Sequence, residues 1–189
     1  MQIEPNSLSA VLADLDDSDE KARRIVAEIS DAQATWQPRE GAWSIAQCLD
    51  HLSRTNIVYA GALKAALSAP DLLEEGFKTQ IKPGWLSRHF LRAIEPPPKG
   101  KISAPKKIHP AQRPDKGKAL ESFLRSQNDV REVVATSAKF NVNRIRFRNP
   151  FVRSIRFTVG TGLLIISAHD RRHLWQAEQV RRSEGFPQS

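Results

Sequence analysis

The run Trp43-Ser44-Ile45-Ala46-Gln47-Cys48-Leu49-Asp50-His51-Leu52 joins a helix start, an apolar face and a titratable ring in one short stretch. Ser44 is a candidate N-cap, and Gln47 three residues later completes a capping box. Beyond it, Ile45, Cys48, Leu49, Leu52, Tyr59, Leu63 and Leu67 recur at helical spacing. Asp50, Arg54 and Lys64 suit the outward face of the same cylinder. The pattern predicts a helix over 44–68, with His51 at the edge of its apolar stripe.

Upstream, Pro38 and Gly41 mark 35–41 as a connection. Before it, Leu8, Val11, Leu12, Leu15, Ala22, Ile25, Val26 and Ile29 predict a helix over 7–30 with Ser7 as N-cap. Downstream, 69–117 holds eight of the twelve prolines and excludes a long continuous helix. A short helix is expected there around Trp85 to Ile94, with Trp85, Leu86, Phe90 and Leu91 covering one end of a core. Leu120, Phe123, Leu124, Val130, Val133 and Val134 predict a third long helix over 118–138, and a fourth follows over 159–184. Between these two lies a basic, aromatic connection, 140–157. Its Phe147, Pro150, Phe151, Ile155 and Phe157 favour packing over the bundle end, with an exposed anion patch as the alternative. The expected fold is therefore all-α: a four-helix bundle with a long Pro-rich crossover between helices 2 and 3, forming a single domain over 1–189.

The 189 residues carry a globular mix, 40% hydrophobic and 26% charged. No apolar run suffices to span a bilayer; Val159 to Ala168 is too short and contains Gly160 and Gly162. With neither a basic start nor an apolar leader visible, a cytoplasmic location is expected. Cys48 is the one cysteine, so no internal disulfide can form, and its helical setting predicts a buried small hydrophobe. The net charge of +8 raises the question of anionic partners. The basic residues gather in Lys99, Lys101, Lys106, Lys107, Arg113, Lys116 and Lys118 and in Arg144, Arg146, Arg148, Arg153 and Arg156. They come without a zinc finger, a helix-turn-helix signature or an RNP-like aromatic pattern, so nucleic acid is not the expected partner.

Of the five histidines, only His169 and His173 have a spacing with direct geometric meaning. Residues four apart lie one turn above the other on one helix face, so both rings can reach one ion. Asp170 follows His169 where the metalloprotease motif requires Glu, which excludes that reading. A pair alone is as compatible with ordinary surface histidines, and a site needs a third ligand. His51 is the best candidate, since bundle sites draw on facing helices, whereas His89 and His109 fall in the crossover. Three neutral imidazoles around Zn, Ni, Fe or Co leave a coordination position open for water or for a substrate oxygen or sulfur.

These motifs carry a resemblance. The run from Trp43 to Leu52 resembles the helix-2 signature of the DinB-like (YfiT-like) superfamily, in which tryptophan, serine, a glutamine or glutamate and histidine-leucine appear in this order. Ala168-His169-Asp170-Arg171-Arg172-His173-Leu174-Trp175-Gln176 resembles the family's last helix, and Trp36 and Pro38 match its approach to helix 2. The resemblance implies a four-helix bundle with a long connection and a divalent metal on His51, His169 and His173. It implies a metal-dependent hydrolase or a thiol transferase acting on a small molecule, in some members a low-molecular-weight thiol of the bacillithiol or mycothiol type. A non-catalytic metal-binding or stress-response module, homodimeric in form, is the alternative, and an anion or nucleic-acid binder a weaker one. Gln47, Thr55 and Gln176 are candidates to support the ligands or orient substrate. Asp50 and Asp170 point about 100° away from their histidine neighbours, which argues against coordination. Trp43 and Trp175 are expected to be packing anchors, and no residue stands out as a general base.

Overall fold

In the computed structural model, residues 4–68, 79–97, 100, 104–152 and 154–188 are described. Pro70, Pro98, Lys99, Lys101 and Arg153 of the sequence reading lie outside them. The elements are helices α1 (Leu8–Ala27), α2 (Asp31–Thr35), α3 (Ile45–Leu67), α4 (Trp85–Ile94), α5 (Lys116–Ser137) and α6 (Val159–Arg181), and strands β1 (Arg146–Arg148) and β2 (Arg156–Thr158). A 3₁₀ turn spans Lys106–Ile108.

The long helices begin where side-chain oxygens meet otherwise orphaned N–H groups. Ser7, Asp115 and Thr158 accept from the amides three residues on in α1, α5 and α6. At α3 the capping box forms in full: Ser44 accepts from the Gln47 amide, and the Gln47 side chain accepts from the Ser44 amide. A second such box, Ser30 with Gln33, starts α2, a short helix between the expected end of the first helix and the 35–41 connection.

The bundle consists of α1, α3, α5 and α6. Both α1 and α3 pack against α5 and α6, so the first two long helices lie diagonally across the core. This places the His51 helix directly beside the His169/His173 helix. The core has two apolar halves. One gathers Leu15, Leu63, Val130 and Leu163 with the α4 and hairpin side, and the other Ile25, Leu49, Phe123 and Leu174. At one level of every helix, polar residues separate them: Ser18, Asn56, Gln127 and Asp170 are all buried. Asn56 Nδ2 donates to Asp170 Oδ1 at 3.1 Å and to Gln127 Oε1 at 3.3 Å. Burial pushes the Asp170 carboxyl up to about 8, against the lowering effect of those amides.

The connection expected before the last helix is an antiparallel β-hairpin with Phe147 opposite Phe157. The period-2 pattern Arg-Phe-Arg turns both phenylalanines into the core and leaves Arg146, Arg148 and Arg156 exposed. Packing and an exposed basic face therefore coexist. The hairpin reaches α6 through Gly162, where a Cβ would lie 2.8 Å from Leu63 Cδ2 and from the Phe147 ring. The expectation for α4 is half met: Phe90 and Leu91 pack on the core, but Trp85 and Leu86 are 77% and 50% exposed. They fall outside the stretch that Ile94 and Phe90 anchor.

Candidate metal centre

His51 lies two turns into α3 with 1% of its surface exposed, held in place by the capped start of the helix. His169 and His173 come from the middle of α6, His173 buried and His169 partly exposed. Because α3 and α6 are neighbours, the three rings converge. Their centroids are 4.5 to 5.2 Å apart, and one ring nitrogen from each lies within 4.8 Å of the others. Among the described residues this is the one group of three or more His, Cys, Asp or Glu side chains with that geometry.

The outward nitrogens explain the orientation. His51 Nδ1 faces the Ile108 carbonyl at 2.7 Å, and His173 Nδ1 faces Gln176 Oε1 at 2.8 Å. Both partners accept, so each Nδ1 carries the proton and each Nε2 presents its lone pair. His169 differs, because its buried Nδ1 has no partner among the described residues. Burial lowers the pKa of all three rings: His51 below its ordinary range, His169 well below it, with its two histidine neighbours adding to the effect, and His173 to about 3. The rings are therefore neutral at physiological pH, the form in which imidazole binds a metal.

The donor set fits a divalent transition metal. Two imidazole nitrogens bound at the usual distance to one tetrahedral ion lie about 3.4 Å apart. His51 Nε2 and His169 Nε2 are separated by 3.4 Å. Trp43, expected to be a packing anchor, packs against the cluster itself at a tilt, its ring centroid 4.5 Å from His51 and 5.5 Å from His173. There it covers one side of the His51 and His173 rings.

The crossover supplies what the bundle alone lacks. Besides the Ile108 carbonyl, the Ala111 amide donates to Asp50 Oδ2 at 2.7 Å. Gln47 Nε2 donates to the carbonyls of Ala111 and Gln112 at 3.2 and 3.0 Å. Gln47 and Asp50 thus fasten Ala111 and Gln112 to the first turns of α3, beside His51. Gln176 fills the supporting role considered for it, whereas Thr55 donates to the His51 backbone carbonyl and does not reach the ring. Asp170 turns away into the buried polar layer, as its position on the helix requires. His89 and His109 are exposed outside the cluster, with His109 against the Ala104 carbonyl. Ile108 was missed because a backbone acceptor leaves no trace in residue type. The polar pair Gln47 and Asp50 within the otherwise apolar first turns of α3 was the available signal.

No helix among the described residues is long and apolar enough to cross a membrane. No curated protein sequence matches the chain. Its fold is similar to that of YfiT from Bacillus subtilis, described as a probable metal-dependent hydrolase with an unusual four-helix bundle topology. The TM-score is 0.63 over 98% of this chain and 92% of that one, at 14% identity, so the likeness is one of fold. The family model of the DinB superfamily matches residues 14–177, a span that runs through all four bundle helices and includes the three histidines. The chain belongs to the DinB superfamily.

Proposed function

We propose that this protein is a divalent-metal-dependent hydrolase acting on a small molecule, with His51, His169 and His173 as the metal ligands. The observation that carries the proposal is the convergence of three neutral imidazoles from two adjacent helices, two of them with the outward nitrogen already engaged by an acceptor. The description of YfiT agrees with it. When bound, such an ion supplies Lewis acidity, polarising a substrate oxygen and making water acidic near neutral pH.

The chain's own residues orient and shelter that chemistry. The Ile108 carbonyl and the Gln176 side chain set the tautomers of His51 and His173, while Trp43 covers one side of these two rings. Three protein ligands leave a coordination position for substrate, as in catalytic rather than structural sites. No general base is assigned.

Elemental analysis of the purified protein, beside a variant carrying His51→Ala, His169→Ala and His173→Ala, tests the ligand set. About one equivalent of Zn, Ni, Fe or Co in the parent and none in the variant is expected. A parent that stays metal-free after incubation with each of these ions would overturn the reading. A panel of carboxylic and phosphoric esters and amides then tests hydrolysis by the loaded protein, with thiol-transfer substrates run alongside. Turnover that disappears in His173→Ala supports the hydrolase. Metal binding without turnover would leave a metal-binding module.

A further inference from the structure

A second site lies away from the histidines, where α4 crosses the bundle between α6 and the segment 79–83. An open crevice of about 510 Å³ there has Ile81, Leu91 and Leu164 among its walls and four cations around them: Lys82, Arg88, Arg92 and Arg171. Ile81 and Leu164 are buried core residues, so the apolar walls are fixed parts of the fold.

The charges around these walls are unbalanced. Arg171 is offset, because its guanidinium bonds both oxygens of Glu95 and pairs with Asp14 Oδ2 at 2.7 Å. Lys82, Arg88 and Arg92 have no carboxylate partner among the described residues, and all three are exposed. Arg88 and Arg92 also stand one turn apart on the same face of α4, where like charges repel. An anion placed between them relieves that repulsion, and the volume falls in the range of small-molecule sites.

We propose that this crevice binds an amphipathic anion. An apolar stem lies against the half-buried Leu91, over a floor closed by Ile81 and Leu164, and a carboxylate or phosphate head is held by Lys82, Arg88 and Arg92. Both components are needed: bare anions lack the apolar contact, and neutral stems leave the cations uncompensated. The site is separate from the metal centre and does not depend on the function proposed for it.

Calorimetric titration of the full-length protein with octanoate and octyl phosphate tests the proposal, with octan-1-ol, acetate and inorganic phosphate as stem-only and head-only controls. Saturable one-to-one binding of at least one amphiphile is expected, at least tenfold tighter than any control. The double variant Arg88→Glu, Arg92→Glu should weaken it at least tenfold, and Arg88→Gln, Arg92→Gln by a smaller factor. Both change exposed side chains, and an unchanged melting temperature shows that they fold. Arg24→Glu, Arg182→Glu, on a different crevice, should leave binding within threefold. The His51→Ala, His169→Ala, His173→Ala protein should bind equally well, since a carboxylate captured by a metal would be lost there. No saturable binding, equal binding of octan-1-ol or of the bare anions, insensitivity to Arg88→Glu, Arg92→Glu, or loss of binding in the histidine variant would each overturn the proposal.

Discussion

The three imidazoles differ in what holds them, and Gln176 offers a way to test whether that matters. His51 is oriented by a backbone carbonyl that substitution cannot remove, and His169 Nδ1 has no partner among the described residues. His173 relies on Gln176 Oε1 at 2.8 Å. Gln176→Leu keeps the bulk and removes the acceptor, leaving the Nδ1–H of a ring that is only 7% exposed without a partner. The proton can then move to Nε2, the nitrogen that the metal needs. An unpaired buried donor costs about 1–3 kcal/mol. Loss of a hydrogen bond behind a ligand typically lowers metal affinity about 10- to 100-fold. The same unpaired donor burdens the metal-free fold, so unfolding free energy in chelator should fall by about 1–3 kcal/mol while the protein still folds. Gln176→Glu, which restores an acceptor and adds charge, should bind at least as tightly as the parent. Competition against a chromophoric chelator with Zn²⁺ reads the affinity, and urea unfolding in EDTA reads the fold. Equal affinity for the Leu variant, with the fold intact, would refute the assignment of His173 Nε2 as a donor held by Gln176.

Other outcomes follow from packing and burial. Gly162→Ala forces a methyl into Leu63 and the Phe147 ring; overpacking costs about 1–3 kcal/mol and the helix-propensity gain returns at most about 1, so urea should unfold it earlier. Gly61→Ala, on the exposed face of α3 with no atom within 4 Å of the new Cβ, should instead stabilise by about 0.5–1 kcal/mol. Cys48 is buried and its thiol is pushed up to about 12, so at pH 8 roughly one molecule in ten thousand carries a thiolate, and Ellman's reagent should label it only after unfolding. Because that pKa is raised on folding, the associated stability is complete below about pH 9 and is lost as pH rises towards 12, by up to about 4 kcal/mol; Cys48→Ala should flatten this alkaline limb of the stability profile. Zn²⁺ at about a hundred times its Kd should stabilise the parent by about 2.7 kcal/mol and leave the triple histidine variant unmoved.

The long helices were legible because each signal was local. Ser44 with Gln47, the apolar positions from Ile45 to Leu67, and the i, i+4 step from His169 to His173 specify geometry within one or two turns. The hairpin was harder to see. Its strands have three residues each, too few for alternation to stand out from an Arg- and Phe-rich connection. The exposure of Trp85 and Leu86 was likewise hidden, since α4 has an amphipathic sequence whether or not its first turn reaches the core. The α4 crevice escaped because Ile81, Leu91 and Leu164 come from separate segments that only the fold brings together around the nearby Lys82, Arg88 and Arg92.

The place of the histidines in the core gives the site a physical logic that no single motif conveys. Along α1, α3, α5 and α6 the apolar halves stop at one level, where Ser18, Asn56, Gln127 and Asp170 are buried, and the histidine cluster borders that level through His51 and His169. Such a layer is costly: Asn56 Oδ1 has no partner among the described residues, and an apolar layer of the same volume would avoid that penalty. The same layer takes Asp170 into the core about 100° round the helix from His169, tied to Asn56, and so fixes the rotation of α6 about its own axis. A turn of α6 that freed Asp170 into water would carry His169 and His173 away from His51, since all three side chains are set by one cylinder. The polar layer and the convergence of the rings are thus one constraint on α6, met on one side by Asn56 and on the other by the Ile108 clamp on His51.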